Sequence, residues 1–137
     1  MSAYLDNSAT TKPCDECVKA VMNMLCNDFG NASSLHALGI NAMKQIILAR
    51  GAVADSLGVD KDEIYFTSGG SEADNQAIVS AAKWGARRNK KHIISTAFEH
   101  HAVLHTLQKL EKEGYEVTYL DVHENGMVRL EEVEAAI

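Results

Sequence analysis

The chain has 137 residues, of which 46% are hydrophobic and 23% are charged, as is ordinary for a single globular domain. With 19 acidic and 13 basic residues the net charge is −6, which argues against a nucleic-acid partner because phosphate backbones are bound by clustered Lys and Arg. No stretch has the apolar core of a signal peptide or the length of a membrane span. We therefore expect a cytoplasmic protein with no membrane partner.

The first half of the chain predicts two helices and a short strand. Apolar residues recur at helical spacing over residues 14–28, and the loop at 30–34 ends this helix. A longer helix is expected over residues 36–57, with Gly58 as its C-terminal stop. The apolar run Ile64–Thr67 predicts a short strand.

The three cysteines lie in the first of these helices or at its start. Cys14, Cys17 and Cys26 are too few for a disulfide framework, and a four-ligand zinc site would need a second C-x-x-C pair. A thioredoxin-like pair would follow a strand, whereas Cys14 follows Pro13 and opens an amphipathic stretch. We interpret them as helix residues, with a redox pair as the less favoured alternative.

The second half alternates helices and strands. The pattern predicts helices over 71–88, 101–113 and 130–137, strands over 92–96 and 116–121, and a turn at Asn125-Gly126. The basic run at 87–91 is expected to be a solvated helix end. Strands that alternate with helices indicate βαβ units and a mainly parallel sheet, whose ligands bind where strands lead into helices.

The loop Ser68-Gly69-Gly70-Ser71 precedes a predicted helix start. Glycines can adopt backbone angles closed to other residues and expose their N–H groups, and Ser71 adds a hydroxyl where unpaired donors favour negative charge. The loop is neither a Walker loop nor G-x-G-x-x-G, so a single phosphate fits best. A plain glycine turn with Ser71 as helix cap is the structural alternative.

A second loop carries histidines. His100 follows the strand at 92–96 and can stack on a planar ring or move a proton near neutral pH. His101 and His105 stand one helical turn apart, but no third ligand is evident, so we expect no metal. His36 and His92 are interpreted as a helix-start and a strand residue. A phosphate site beside an imidazole suggests a flat, phosphorylated, aromatic cofactor.

Four motifs follow one another along the chain: Tyr4-Leu-Asp-Asn-Ser-Ala-Thr-Thr11, Phe29-Gly-Asn-Ala-Ser-Ser34 with His36, Phe66-Thr-Ser-Gly-Gly-Ser-Glu-Ala-Asp-Asn75, and Glu99-His100-His101-Ala-Val103. In this order and spacing they resemble the amino-terminal part of the cysteine desulfurases, NifS-like pyridoxal-phosphate enzymes of the class V aminotransferase group. The resemblance extends along essentially the whole chain. It departs from the family at two positions, because the family usually has Pro where Ala32 stands and often has Pro where His101 stands.

The resemblance implies a fold and a site. The fold would be α/β, part of the aspartate-aminotransferase-like (fold type I) large domain, incomplete, with a mainly parallel sheet and flanking helices. Residues 1–13 would line the active-site mouth, and 14–137 would form the amino-terminal part of the domain that binds pyridoxal 5'-phosphate. Gly70 and Ser71 would hold the cofactor phosphate, while His100 would stack on its ring and act as a catalytic residue in proton transfer.

The resemblance also implies an activity. The parent enzyme would convert L-cysteine to L-alanine and an enzyme persulfide, supplying a sulfur-acceptor scaffold protein for iron–sulfur clusters or thiolated cofactors. The family's Schiff-base lysine and nucleophilic cysteine come later in its chain, and no residue here matches them. We expect this chain alone to be inactive, with weak or no cofactor binding. The alternatives are half of a split enzyme or a non-catalytic partner, or another class V enzyme such as a selenocysteine lyase.

The family's sheet order implies incomplete packing. In that order the strand at 64–67 does not pair with those at 92–96 and 116–121, because later strands lie between them. We therefore expect unpaired strand edges and exposed apolar positions at Ile78, Ala82 and Leu107. The chain would then form a homo-oligomer, by edge pairing or by exchange of a helix, or else repack its strands.

Overall fold

The computed structural model describes residues 3–137, which divide into two compact units at the boundary between Tyr65 and Phe66. None of the helices in this range is long and apolar enough to cross a membrane. The first unit contains α1 (Asp15–Cys26), α2 (Ala37–Leu57) and a short 3-10 helix (Lys61–Glu63). The second contains α3 (Gly70–Ala86), β1 (His92–Thr96), α4 (His101–Lys112), β2 (Glu116–Leu120), a 3-10 turn (Glu124–Gly126) and α5 (Leu130–Ala136).

Capping residues define both ends of α2. His36 precedes the helix, and its Nδ1 accepts a hydrogen bond from the N–H of Gly39 at 3.4 Å. Gly58 ends the helix in the left-handed conformation, with φ of 67°, which a residue without Cβ adopts at no steric cost. The predicted roles of His36 and Gly58 are confirmed.

The loop before α2 packs tightly against the first turn of that helix. A Cβ added to Gly39 would collide with the backbone oxygens of Asn31 and Ser34, and one added to Gly30 would collide with that of Leu38. Only residues without a side chain allow this approach. The Phe29–Ser34 motif is thus a structural element that fixes how the chain enters α2.

The second unit is built around a parallel βαβ unit. β1 and β2 pair in parallel, in a register that runs from His92 opposite Glu116 to Thr96 opposite Leu120, and α4 connects them. The buried apolar residues of this unit are Ala82, Leu107, Leu110 and Leu120. The strands end at one edge, so the residues that follow β1 enter α4 from that edge. The predicted α/β class with a parallel sheet is confirmed.

Ile64–Thr67 is the predicted strand that does not form. Ile64 has extended backbone angles, with φ of −94° and ψ of 122°, but residues 64–67 form no ladder because no other strand within residues 3–137 pairs with them. A strand is stable only when a neighbour satisfies its backbone groups, and an apolar run does not supply that neighbour.

Two of the three positions predicted to be exposed are buried. Ala82 is 7% exposed and Leu107 is 1% exposed, while Ile78 is half-buried. The exposure prediction for Ala82 and Leu107 was therefore wrong: α3 packs against α4, and this contact covers positions that the family's sheet order suggested would stay open.

Candidate functional site

The start of α3 presents a surface suited to an anion. Gly70 is the first residue of the helix and Gly69 its cap, and no side chain caps this end. The first N–H groups of a helix lack intrahelical acceptors, and the helix dipole makes this end positive. The exposed side chain of Ser71 adds a hydroxyl on the same turn.

The two glycines serve access rather than unusual backbone angles. Gly69 has φ of 167°, an extended value open to any residue, and neither glycine is left-handed. Neither glycine therefore uses the backbone angles closed to other residues that its lack of a side chain allows. A Cβ added at Gly69 or Gly70 would meet no atom within 4 Å, so glycine here leaves open the space above the N–H groups.

Glu72 is the acidic residue closest to this helix start. Its Oε2 accepts hydrogen bonds from both the hydroxyl and the N–H of Ser68, each at 2.7 Å. The Ser68 hydroxyl, with a smaller contribution from the N–H, lowers the pKa of the Glu72 carboxyl from its ordinary value. The negative charge is therefore engaged with Ser68 and holds the loop in shape.

His100 occupies the corresponding position at the start of α4. It is the cap of this helix, and its Nδ1 accepts a hydrogen bond from the N–H of Ala102 at 3.1 Å. When the ring is neutral and Nδ1 accepts, the ring proton is on Nε2. The exposed imidazole thus presents Nε2 to an incoming molecule.

The structure brings Ser71 and His100 to one pocket. An open pocket of about 360 Å³ is lined by both residues, although Gly70 is not part of its lining. The other lining residues come from the facing sides of α3 and α4: Asn75, His101, Ala102, His105, Thr106 and Lys109. The helix starts predicted to hold a phosphate and an aromatic ring are therefore neighbours, as expected.

Lys109, Asn75 and Thr106 line this pocket but are not among the site residues predicted from the sequence. Lys109 lies two helical turns after His101, so four-residue spacing was the available signal for its position on the same face. Asn75 lies four residues after Ser71, so the same spacing was the available signal that it shares a face of α3 with Ser71. Thr106 had no such signal, because it is buried at 4% exposure and its role depends on a partner in α3.

No metal cluster is found in the part of the chain that the structure describes. The rings of His101 and His105 stack with their centroids 5.3 Å apart and 21° between their planes. Within residues 3–137 no group of three or more His, Cys, Asp or Glu side chains is arranged to hold a metal ion.

The cysteines are where the helical interpretation predicted. Cys14 is the cap of α1 and Cys17 lies in its first turn, with the two Sγ atoms 3.3 Å apart, and Cys26 is the last residue of the helix. All three are free and exposed. Hydrogen bonding from the Cys17 backbone N–H, and secondarily its side chain, lowers the pKa of the Cys14 thiol, while the Cys14 side chain raises the pKa of Cys17.

The segment that precedes α1 forms a local turn in the first unit. The Asn7 amide nitrogen donates to the Tyr4 carbonyl at 3.4 Å, and the Thr11 hydroxyl donates to the Asn7 carbonyl at 3.2 Å. Residues 1 and 2 of the predicted 1–13 segment lie outside the described range. The location of residues 1–13 at an active-site mouth stays a prediction. The assignment of residues 14–137 to the cofactor-binding domain also stays a prediction.

Comparisons with known proteins agree with this architecture. The family profile described as aminotransferase class-V matches residues 3–137. The chain is 48% identical over 136 residues to the cysteine desulfurase IscS of Methanosarcina thermophila, covering 99% of this chain and 33% of that protein. The chain spans about a third of the length of the curated relatives it matches.

Solved structures with the same fold lead to the same group. A NifS-like protein superimposes with a TM-score of 0.90 at 38% identity, over 100% of this chain and 37% of its own. A structure titled SspA in complex with cysteine superimposes with a TM-score of 0.86 at 34% identity, over 99% of this chain and 39% of its own. The predicted resemblance to the NifS-like cysteine desulfurases and the predicted fold class are confirmed.

Proposed function

Because the chain belongs to the aminotransferase class-V family, we propose that it forms part of the pyridoxal-phosphate-binding domain of a cysteine desulfurase. This enzyme takes sulfur from L-cysteine and leaves L-alanine and an enzyme persulfide. One observation carries the proposal: Ser71 and His100, from helix starts in different parts of the chain, line the same pocket. The similarity to cysteine desulfurases along almost the whole chain supports the substrate class.

The start of α3 fits a phosphate group. Gly70 and Ser71 offer backbone N–H groups at the positive end of the helix, and the Ser71 hydroxyl is a further donor. The open space above Gly69 and Gly70 leaves room for phosphate oxygens to approach the backbone. These residues would hold the cofactor by its phosphate and thereby fix where its ring lies.

His100 fits the role of a ring-stacking and proton-moving residue. The hydrogen bond from Ala102 to Nδ1 fixes the orientation of the imidazole, so that Nε2 is the atom that gives or takes a proton. The bound cofactor supplies an electron sink for the charge that develops at the substrate's α carbon. The contribution of His100 would be to cover one face of the ring and to hold a proton beside it.

The proposal also covers substrate, partners and location. The similarity to SspA, which was solved in complex with cysteine, supports L-cysteine as substrate. The sulfur-acceptor scaffold, a role in iron–sulfur cluster assembly, the homo-oligomer and the cytoplasmic location stay predictions. No lysine or cysteine of this chain lies in a motif matching the family's Schiff-base lysine or nucleophile, so we expect the isolated chain to bind the cofactor weakly and not to turn over.

A product assay tests the proposed function. The complete polypeptide that carries this chain is incubated with pyridoxal phosphate, L-cysteine and a dithiol reductant, which releases the persulfide sulfur as sulfide. Alanine and sulfide are measured, with L-selenocysteine and other amino acids as comparisons. We expect alanine and transferable sulfur from L-cysteine. Cofactor binding without alanine formation from L-cysteine would assign the protein to another class V reaction.

A covalent-trapping experiment tests the expectation for the isolated chain. The 137-residue chain is treated with pyridoxal phosphate and borohydride and then analysed by mass spectrometry. We expect scattered, substoichiometric labelling. A stoichiometric adduct on one lysine would show that this chain contains the cofactor-binding lysine.

A further inference from the structure

Asn75 makes contacts with both helices that carry the proposed site. Its Nδ2 donates to the Ser71 carbonyl oxygen at 2.7 Å, one turn earlier in α3, and to the Ala102 carbonyl oxygen in α4 at 3.3 Å. Its Oδ1 accepts the hydroxyl of Thr106 at 2.6 Å. A single amide side chain thus joins the turn that holds Ser71 to the turn that His100 caps.

Both polar atoms of an asparagine side chain find matching hydrogen-bond partners at this position. Two carbonyl oxygens need two donors, which the amide nitrogen provides, while the Thr106 hydroxyl needs an acceptor, which the amide oxygen provides. The Thr106 hydroxyl is also 2.8 Å from the Ala102 carbonyl oxygen, so its one hydrogen has two acceptors within hydrogen-bond distance. An aspartate would set a carboxylate oxygen against both carbonyls.

No other side-chain hydrogen bond joins α3 to α4 within residues 3–137. The remaining contact between the helices is apolar packing, in which Leu107 is 1% exposed. The hydrophobic effect that drives this packing is itself non-directional. The hydrogen bonds of Asn75 are directional and lie in the first two turns of both helices, beside the pocket.

We propose that Asn75 is a positioning residue that fixes the separation between the phosphate-binding start of α3 and the imidazole that caps α4. This inference rests on the proposed function, because it takes Ser71 as the phosphate-binding residue and His100 as the ring-stacking residue. Asn75 also lines the pocket, but its role in this proposal is to position the two helix starts rather than to bind the cofactor or substrate. It acts through Ser71 on one side and through Ala102 and Thr106 on the other.

The first test needs no cofactor. Hydrogen exchange of the amides in the first turn of α4, among them Val103 and Leu104, is compared in the cofactor-free complete polypeptide for the wild type, Asn75→Ala and Gln76→Ala. Gln76 is the matched control because it is exposed and neighbours Asn75 in the same helix. By helix propensity both substitutions strengthen α3, so faster exchange in Asn75→Ala alone would reflect the lost contact with α4.

We expect exchange in this turn to be about tenfold faster in Asn75→Ala and unchanged in Gln76→Ala, as for the loss of one or two hydrogen bonds. Thr106→Val removes the hydroxyl with little change of shape and should behave like Asn75→Ala, whereas Thr106→Ser keeps the donor and should restore wild-type exchange. Equal exchange in the wild type, Asn75→Ala and Thr106→Val would overturn the inference.

The second test measures the site. In the loaded enzyme, Asn75→Ala and Asn75→Asp should lose the cofactor about tenfold faster and lower kcat by about tenfold, with KM for L-cysteine nearly unchanged, because the two halves of the site lose their alignment. Wild-type cofactor retention and kcat in both variants would overturn the positioning role. A wild-type enzyme that takes up no cofactor would refute the proposed function instead, and the exchange experiment would then judge the Asn75 contacts alone.

Discussion

Replacing Ser71 by Ala should weaken the binding of pyridoxal phosphate by about tenfold. A hydrogen bond to a charged group contributes about 1.5 to 3 kcal/mol. Ser71 is exposed, so water competes for the phosphate and the lower value applies, and about 1.4 kcal/mol corresponds to tenfold in Kd. Binding would not be lost, because the N–H groups at the start of α3 do not depend on the hydroxyl.

Titration with two ligands measures this effect and isolates its cause. The Kd of pyridoxal phosphate and that of pyridoxal, which lacks the phosphate, are determined by cofactor absorbance for the wild type and Ser71→Ala in the complete polypeptide. We expect the Kd of pyridoxal phosphate to rise and that of pyridoxal to stay constant. An equal rise for both ligands, or no rise for either, would refute the placing of the phosphate at Ser71.

The complementary prediction concerns His100, whose substitution should slow turnover more than it weakens cofactor binding. His100→Ala also removes the cap of α4, which contributes about 1 kcal/mol, so His100→Asn is the better variant because Asn can cap the helix without an imidazole. If His100→Asn kept wild-type kcat, the imidazole would have no part in the reaction and the cap would be its only role.

Three further predictions concern stability and reactivity. Gly39→Ala should destabilise the chain by more than about 1 kcal/mol, because the added Cβ collides with backbone oxygens. Gly51→Ala, which has open space in the same helix, should instead stabilise the chain by up to about 1 kcal/mol. Urea unfolding measures both changes, and equal effects would contradict the close approach at Gly39. Glu72 has a lowered pKa in the folded state, so its contribution to the free energy of unfolding is present above about pH 4.3 and is lost as the pH falls through the lower folded pKa. Glu72→Gln should therefore reduce the loss of stability on acidification. An unchanged pH dependence of unfolding would count against the contact between Glu72 and Ser68. Cys14 should react with iodoacetamide faster than Cys17 near neutral pH, because the pKa of the Cys14 thiol is lowered and that of Cys17 is raised. Peptide mass mapping measures the two rates. The reverse order would show that the helix start does not stabilise the Cys14 thiolate.

Local signals in the sequence determined most helix ends and both strands. α2 ends before Gly58 and α4 ends just before Gly114, both left-handed as a stop signal requires, and β1 spans the predicted residues 92–96. Asn125 and Gly126 both take positive φ values, as the predicted turn demands. These helix ends, the strand and the turn depend on residues only a few positions apart, so the residue types and their spacing are enough to predict them.

The candidate site was predicted in its parts from local chemistry. Gly70 and Ser71 at the start of one helix, and His100 at the start of another, follow from glycine, hydroxyl and imidazole groups placed after apolar runs. The rule that ligands bind where strands lead into helices indicated that the two loops would be near each other. That neither glycine needs a left-handed backbone was visible only in the structure.

Contacts between distant residues were decided by the tertiary structure alone. Asn75 contacts Ala102 and Thr106, which are 27 and 31 positions away. A single asparagine within a helical pattern gives no sign in the sequence of a partner so far along the chain. Ile64–Thr67 forms no strand because no other strand pairs with it, and Leu107 is buried because α3 packs against α4. Pairing and burial are properties of two surfaces that meet, whereas a sequence pattern describes only one of them.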